Sequence, residues 1–327
     1  RKVKNDKIDS KGIAKLGLSK DIPVSQFPAK LVLELRSLTR KYYDLTDERS
    51  AHINKLKGDL HTVFPQYLDV FCDVTGKTST MILRQYGTPD KILRGHKKTM
   101  IEKISKASRK GLAKASERYE KLCAAANAAK TFGCQIDSIY FNIFLTLDLV
   151  EKLDSALDSI LNRIRQLITF NKNEKFIQQI KLLNTIPGVG FLTAVTIMCE
   201  IGDFSAFRNP KQLFAYFGLD PEVNESGKFV GTQLHMSKRG SRIARRAIFA
   251  VALASIRTKR NGEGINPYLR KYYELKSGQK PKMVAIGAVM HKVCNIVFAV
   301  LRDEKAFELR SPEEHCKQYQ RPALAAA

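Results

Sequence analysis

Apolar residues recur at three- and four-residue steps from about Leu31 to His61, aligning Leu31, Leu35, Leu38, Tyr42, Leu45, Ile53, Leu56 and Leu60 on one stripe. That period predicts a long amphipathic helix. It returns between Ile143 and Phe170, through Leu147, Val150, Leu153, Leu157, Ile160, Leu161, Ile164 and Ile168. Two such stripes far apart in the chain suggest an antiparallel coiled-coil pair, and a plain helical bundle satisfies the same pattern. Between them, Phe64–Leu93 predicts short helices with turns at Gly76, Gly87 and Pro89. The basic run Lys97–Lys114 suits a phosphate backbone or, equally, a solvated helix face. Near Phe176 glycines become frequent and motifs dense, and the last domain is expected to begin there.

Within that domain, Leu182–Phe204 predicts two helices joined by the tight turn Pro187-Gly188-Val189-Gly190. This is the pattern of a helix-hairpin-helix, whose glycines Gly188 and Gly190 let a phosphate approach the N–H groups opening the second helix. An ordinary αα corner would look the same. Pro210 suits the first turn of a short helix ending at Gly218, and Asp220-Pro221 opens a loop. Ser226-Gly227 then falls in a turn beside Lys228, where a hydroxyl meets a phosphodiester with a cation at hand. Serine-glycine is also a common loop dipeptide. Lys238, Arg239, Gly240 and Ser241 lead into a helix whose Arg242, Arg245 and Arg246 stand at i, i+3 and i+4, predicting one phosphate-facing surface. Tyr268, Tyr272 and Tyr273 interleave with basic residues, a pattern of stacking or of packing. Met283–Phe298 reads as a buried apolar helix in which His291 is a core or interface residue.

Charge narrows the partners. The 327 residues carry 56 Lys+Arg against 32 Asp+Glu, a formal net charge of +24 spread along the chain, which points to a polyanion, nucleic acid before membrane or acidic protein. No apolar span of about 18 residues and no signal-peptide pattern are read from the sequence, so no membrane is expected. Cys72, Cys123, Cys134, Cys199, Cys294 and Cys316 form no CxxC pair, which argues against zinc and fits a reducing cytoplasm. The chain opens on Arg1 and closes on Ala325–Ala327, as a piece of something longer.

Taken in order, IPGVG, EIGDF, FRNPKQL, AYFGLDP, the SG pair and SKRGSRIARRA resemble the C-terminal domain of the DEDD-type insertion-sequence transposases, which include Piv-type DNA invertases. The resemblance covers roughly residues 176–302. The opening residues, with Asp6 and Asp9 in a D-x-x-D pair ahead of Gly12-Ile13-Ala14, are similar to the family's last two site carboxylates. Two aspartates at i and i+3 on a helical turn suit Mg²⁺, and exposed surface aspartates look no different in sequence.

The resemblance implies a mainly α protein: a remnant of an α/β RNase-H/RuvC-like domain over 1–25, a helical coiled-coil region over 26–175, and a compact serine-bearing domain with the helix-hairpin-helix over 176–316. It implies a transposase or site-specific recombinase that cleaves and exchanges DNA strands through Ser226, with Ser237 as the alternate nucleophile. Asp6 and Asp9 would hold Mg²⁺, and Lys228, Lys238, Arg239, Arg242, Arg245 and Arg246 would contact phosphates. The family's first Asp and its Glu would lie ahead of Arg1, leaving the site half present and this piece inactive. An element-encoded guide RNA, a dimer or tetramer built on the coiled-coil region, and a cytoplasmic, nucleoid-associated location complete the expectation. The rivals are a non-catalytic DNA/RNA-binding module and a structure-specific nuclease.

Overall fold

The computed structural model describes residues 6–18, 28–132, 134, 136–222, 225–226, 229–230 and 236–319. Both long helices form, as α2 (Lys30–Val63) and α8 (Asp137–Phe170), each 34 residues and hence about 50 Å long. They run antiparallel. Leu35 near the start of α2 packs with Ile164 and Leu167 near the end of α8, while the Tyr140 hydroxyl at the start of α8 donates to Val63 O at the end of α2. The stripes that the sequence offers to a second copy are therefore spent on each other inside one chain. On the outer side of α8, Phe141, Leu145 and Leu149 stay exposed.

Each end of this pair is sunk in its own core. At the far end, Leu56, Leu60, Ile143 and Leu147 join Phe64, Tyr67, Ile82, Ile92, Met100 and Leu122. The last five lie on or beside α3 (Tyr67–Val70), α4 (Lys77–Gln85), α5 (Pro89–Arg94), α6 (Lys97–Ser108) and α7 (Leu112–Phe132). The expected turns hold: Gly76 caps α4, Gly87 takes φ +68°, and Pro89 opens α5 under a Thr88 cap. The Tyr67 hydroxyl, fully buried, is satisfied by Ser79.

At the near end, Leu35, Ile164 and Leu167 enter the core formed by α9 (Lys175–Leu183), α10 (Phe191–Ile201), α11 (Pro210–Tyr216), α12 (Arg242–Ile256), α13 (Pro267–Ser277) and α14 (Lys282–Asp303). A last helix, α15 (Pro312–Tyr319), follows a stretch without regular secondary structure. α10 is buried without interruption from Ala194 to Ile201. Burial pushes the Cys199 thiol up to about 12, the behaviour of a small core hydrophobe.

The sequence reading is corrected at α14. The helix spans 22 residues and is long and apolar enough to cross a membrane, an apolar span that the sequence analysis did not find. Here it is a core helix, with Ala285, Val289, Val293, Cys294, Val297 and Leu301 buried, but its first turn departs from the predicted burial: Met283 and Val284 are exposed.

At the other end of the chain, α1 (Asp6–Gly17) is exposed throughout from Asp9 to Leu18.

Candidate active site and nucleic-acid interface

Two limbs of chain leave α11 and enter α12 side by side. Lys238 N donates to Gly218 O at 3.1 Å, Ser237 N to Asp220 O at 2.8 Å, and Pro221 bridges to Met236. Farther out, β1 (Glu225–Ser226) pairs antiparallel with β2 (Phe229–Val230), Ser226 opposite Phe229. The described residues thus pair as the two limbs of a hairpin, with Ser226 in the outer pair and Ser237 at the root. Lys228 lies outside the described residues.

The root is held by backbone packing that only glycine permits. Gly218 has φ +65°, and a Cβ there would fall 2.4 Å from Gly240 N; a Cβ on Gly240 would fall 2.0 Å from Tyr216 O. Arg245 closes the joint. Its Nη1 donates to Gly240 O at 2.7 Å, Lys238 O at 3.2 Å and Phe217 O at 3.3 Å, satisfying carbonyls of both limbs. The three arginines of α12 thus do not share one phosphate-facing surface as their spacing predicts. Arg245 turns to the hairpin root, whereas Arg242 and Arg246 face Asp47 of α2, Arg246 at 2.7 Å and Arg242 at 3.7 Å. Arg246 also stacks over the Tyr43 ring at 4.8 Å. Lys238 and Arg239 are exposed, Lys238 with a left-handed φ of +54°.

Both serines of the sequence reading are thus on this hairpin, in different settings. The Ser237 hydroxyl donates to Asp220 Oδ1 at 2.6 Å, a charge-assisted bond, and is half-buried. Ser241 caps α12 by accepting from Ala244 N.

The α9–α10 turn forms where expected, and its two glycines divide the work. Gly188, at φ +97°, faces inward: a Cβ would strike Ser255 Oγ at 2.6 Å, and that hydroxyl donates to Pro187 O. Gly190 is exposed at the uncapped start of α10.

Sequence reasoning missed Arg40, Asp47, Glu200 and Asp220. The Glu200 carboxylate, 2% exposed, takes a bidentate pair of bonds from Arg40 at 2.8 and 2.9 Å, and the Tyr216 hydroxyl donates to Glu200 O. Burial alone would push this carboxyl up; the bonds from Arg40 and Ser241 and the charges of Arg40 and Arg36 together bring it below the usual range. A signal was present, since an acid inside the apolar run of α10 demands a partner.

Asp6 and Asp9 sit one turn apart on α1, and Asp9 is exposed. Among the described residues no three His, Cys, Asp or Glu come together to hold a metal. By donor chemistry, two carboxylates at this spacing suit Mg²⁺ and would supply two of its ligands. His291 packs edge-on against Phe214 at 4.7 Å, and burial, with the charges of Lys292 and Lys211, lowers its pKa from the ordinary histidine value. The Tyr272 ring lies under Lys276 and Lys292, while Tyr268 is partly exposed.

Comparison with known proteins places the same stretches among transposases. Residues 180–274, which span the α9–α10 turn and the serine hairpin, match the model of the transposase IS116/IS110/IS902 family, and residues 1–65 match a DEDD-type IS110 transposase model. The chain is 23% identical over 286 residues to an uncharacterized protein of insertion element IS110 from Streptomyces coelicolor, covering 86% of this chain and 66% of that one. It is 30% identical over 177 residues to the pilin gene-inverting protein of Moraxella bovis, covering 54% and 52%. It is 26% identical over 188 residues to the transposase of element IS1111A from Coxiella burnetii, covering 56% and 50%. The chain thus spans about half to two thirds of the length of these relatives. With one family model on its carboxylate helix and another on its serine hairpin, the chain is similar over both stretches to the IS110/IS116/IS902 family of transposases.

Proposed function

We propose that the chain is the strand-cleaving and strand-exchanging part of a transposase or site-specific recombinase, with the Ser226 hydroxyl as nucleophile. The observation that carries the reading is the clamped root of the hairpin. Gly218, Gly240 and Arg245 fix the two limbs on each other at the root, where Lys238 and Arg239 are exposed, and Ser226 belongs to the β1–β2 pair on the same excursion between α11 and α12. A fixed root beside exposed cations is a place for a phosphodiester to dock within reach of a hydroxyl.

In the proposed step the serine oxygen bonds to phosphorus as the phosphorus–oxygen bond to the leaving strand breaks. The serine proton passes to a nearby base and the leaving oxygen takes up a proton. Attack by the hydroxyl of the other strand reverses the step and joins the exchanged ends. Lys228, Lys238, Arg239 and Arg242 neutralise the phosphate charge that grows in the transition state. Asp6 and Asp9 would hold Mg²⁺, which supplies Lewis-acid stabilisation of phosphate oxygens.

A second reading has one observation in its favour: the Ser237 hydroxyl already donates to a carboxylate, Asp220, at 2.6 Å, which is the geometry of a nucleophile beside its base. Partners follow from the same family reading. DNA is the substrate, an RNA encoded by the mobile element would choose the site by pairing, and at least two copies would be needed because exchange cuts more than one strand.

Cleavage of element-end DNA by Ser226→Ala and Ser237→Ala variants of the full-length protein tests the assignment. Loss only in Ser226→Ala is expected; loss only in Ser237→Ala transfers the role to the hairpin root. Cleavage that survives both, with metal required, would identify a nuclease, and tight binding without cleavage by any form a non-catalytic binding module.

A further inference from the structure

The end of the α13–α14 hairpin projects apolar side chains into solvent among lysines. The hairpin turns through residues 278–281, and around that turn Leu275 is 61% exposed, Met283 65% and Val284 52%. The rest of α14 is core from Ala285 onward, so its first turn stands outside the body it belongs to. Lys276, Lys280 and Lys282 surround the same turn, and from Leu275 to Arg302 there is no acidic residue. Lys276 lies over the Tyr272 ring, while Lys280 and Lys282 are exposed and join no salt bridge among the described residues.

We infer that this hairpin end is a second DNA contact, in which Lys280 and Lys282 sit on phosphates while Met283 and Val284 wedge against base pairs from the minor groove and bend the duplex. The inference rests on the nucleic-acid reading above and adds a site outside the serine hairpin. Size decides among the surfaces that an apolar, basic tip can meet. Three apolar side chains are far short of the ~800 Å² per partner that a stable protein interface buries. A lipid surface calls for the long apolar face of an interfacial helix, whereas the α14 face beyond its first turn is already buried. A minor-groove wedge, by contrast, needs one or two apolar side chains flanked by cations, the extra backbone contacts of the bent duplex offsetting the cost of unstacking.

The test uses the whole chain and a duplex of about 30 base pairs labelled at both ends, so that energy transfer reports bending while affinity is followed against salt. The wild-type chain is expected to bind and to bring the ends together. A Met283→Ser/Val284→Ser variant should lose the bend and bind about three- to tenfold more weakly with the salt dependence unchanged, the apolar contacts carrying no counterions. A Lys280→Gln/Lys282→Gln variant should reduce the log–log salt slope by about 2, from ~0.9 per phosphate contact, and still bend DNA at saturation. If the wild-type chain binds and both variants match it in bend and slope, the inference is overturned and the nucleic-acid reading stands. If the wild-type chain binds no duplex, both fall. A Met283→Ser/Val284→Ser variant that keeps the bend but loses self-association, or binding to phosphatidylserine vesicles, would assign the tip to a second copy or to lipid and overturn the inference equally.

Discussion

Asp47 Oδ1 accepts a hydrogen bond from Arg246 Nη1 at 2.7 Å, so a carboxylate of the long helix α2 occupies a guanidinium of α12 that the sequence offers to phosphate. Arg242 shares the same acid at 3.7 Å with its own side chain 75% exposed. A phosphate entering here must displace Asp47 or bind beside it.

Removing the competitor is expected to strengthen nucleic-acid binding. Asp47→Ala gives up a surface ion pair of about 0.5–1 kcal/mol, which corresponds to a two- to fivefold gain in affinity for duplex DNA. The log–log salt slope steepens by up to about 2 as both arginines become free to release counterions. Binding titrations at several salt concentrations measure both quantities. An unchanged slope would mean that neither arginine reaches phosphate.

Arg245 is expected to behave as a structural residue of the hairpin. Arg245→Met leaves Gly240 O, Lys238 O and Phe217 O without their donor, at a cost of about 2 kcal/mol in chemical denaturation. Strand cleavage should fall much further than DNA affinity, because what is lost is the placement of the serine. Arg245→Lys should not restore it, since an ammonium cannot reproduce the guanidinium fork. A variant in which affinity and cleavage fall in equal measure would return Arg245 to the phosphate-binding role that its spacing suggested.

That contrast marks where the sequence is legible. The period-3.6 stripes of α2 and α8 are readable because each helix buries one face along its whole length, and a periodic environment leaves a periodic pattern. The Gly218 and Gly240 positions stand in a recognisable motif, but their reason lies in two backbones meeting across the hairpin, which no local pattern encodes. Helical spacing fixes where the Cα–Cβ bonds of Arg242, Arg245 and Arg246 point. The end of a long side chain is decided by acceptors from elsewhere, here three loop carbonyls for one and a carboxylate from α2 for the others. The Arg40–Glu200 pair was half legible: the buried acid announces itself in α10, its partner 160 residues away does not.

Glu200 gives the pH dependence its sign. Its carboxyl is held below the ordinary range in the folded chain, so the folded state binds that proton less readily than the unfolded state. Its stabilising contribution is complete above the unfolded carboxylate value of about 4.5 and is lost as pH falls through the depressed folded value. Arg40→Ala strands the buried carboxylate at a cost of about 2–3 kcal/mol near neutral pH, less than for a fully buried pair because Arg40 is half exposed. The loss should shrink on acidification as Glu200 takes up a proton. Denaturation curves at pH 7 and pH 4 check the sign, and a loss that grew in acid would show that the pair is not what stabilises this joint.

Gly240→Ala is expected to separate the two limbs. The new Cβ cannot coexist with Tyr216 O, so the hairpin root must open or the domain must pay about 2–3 kcal/mol in displaced backbone. Amide exchange at Ser237 and Lys238, whose N–H groups bond across the root, should accelerate in this variant and stay slow in a control at exposed Gly190. Unchanged protection at those two amides would contradict the packing described for the root.

The most direct measurement is the site of the covalent bond. The full-length protein, with all four family carboxylates, is incubated with element-end DNA and Mg²⁺, quenched in denaturant and digested with nuclease and protease, and the peptides carrying a nucleotide are identified by mass spectrometry. The account predicts a phosphodiester-linked nucleotide on the peptide containing Ser226. Cleaved DNA with no nucleotide attached to any serine of the hairpin would contradict it.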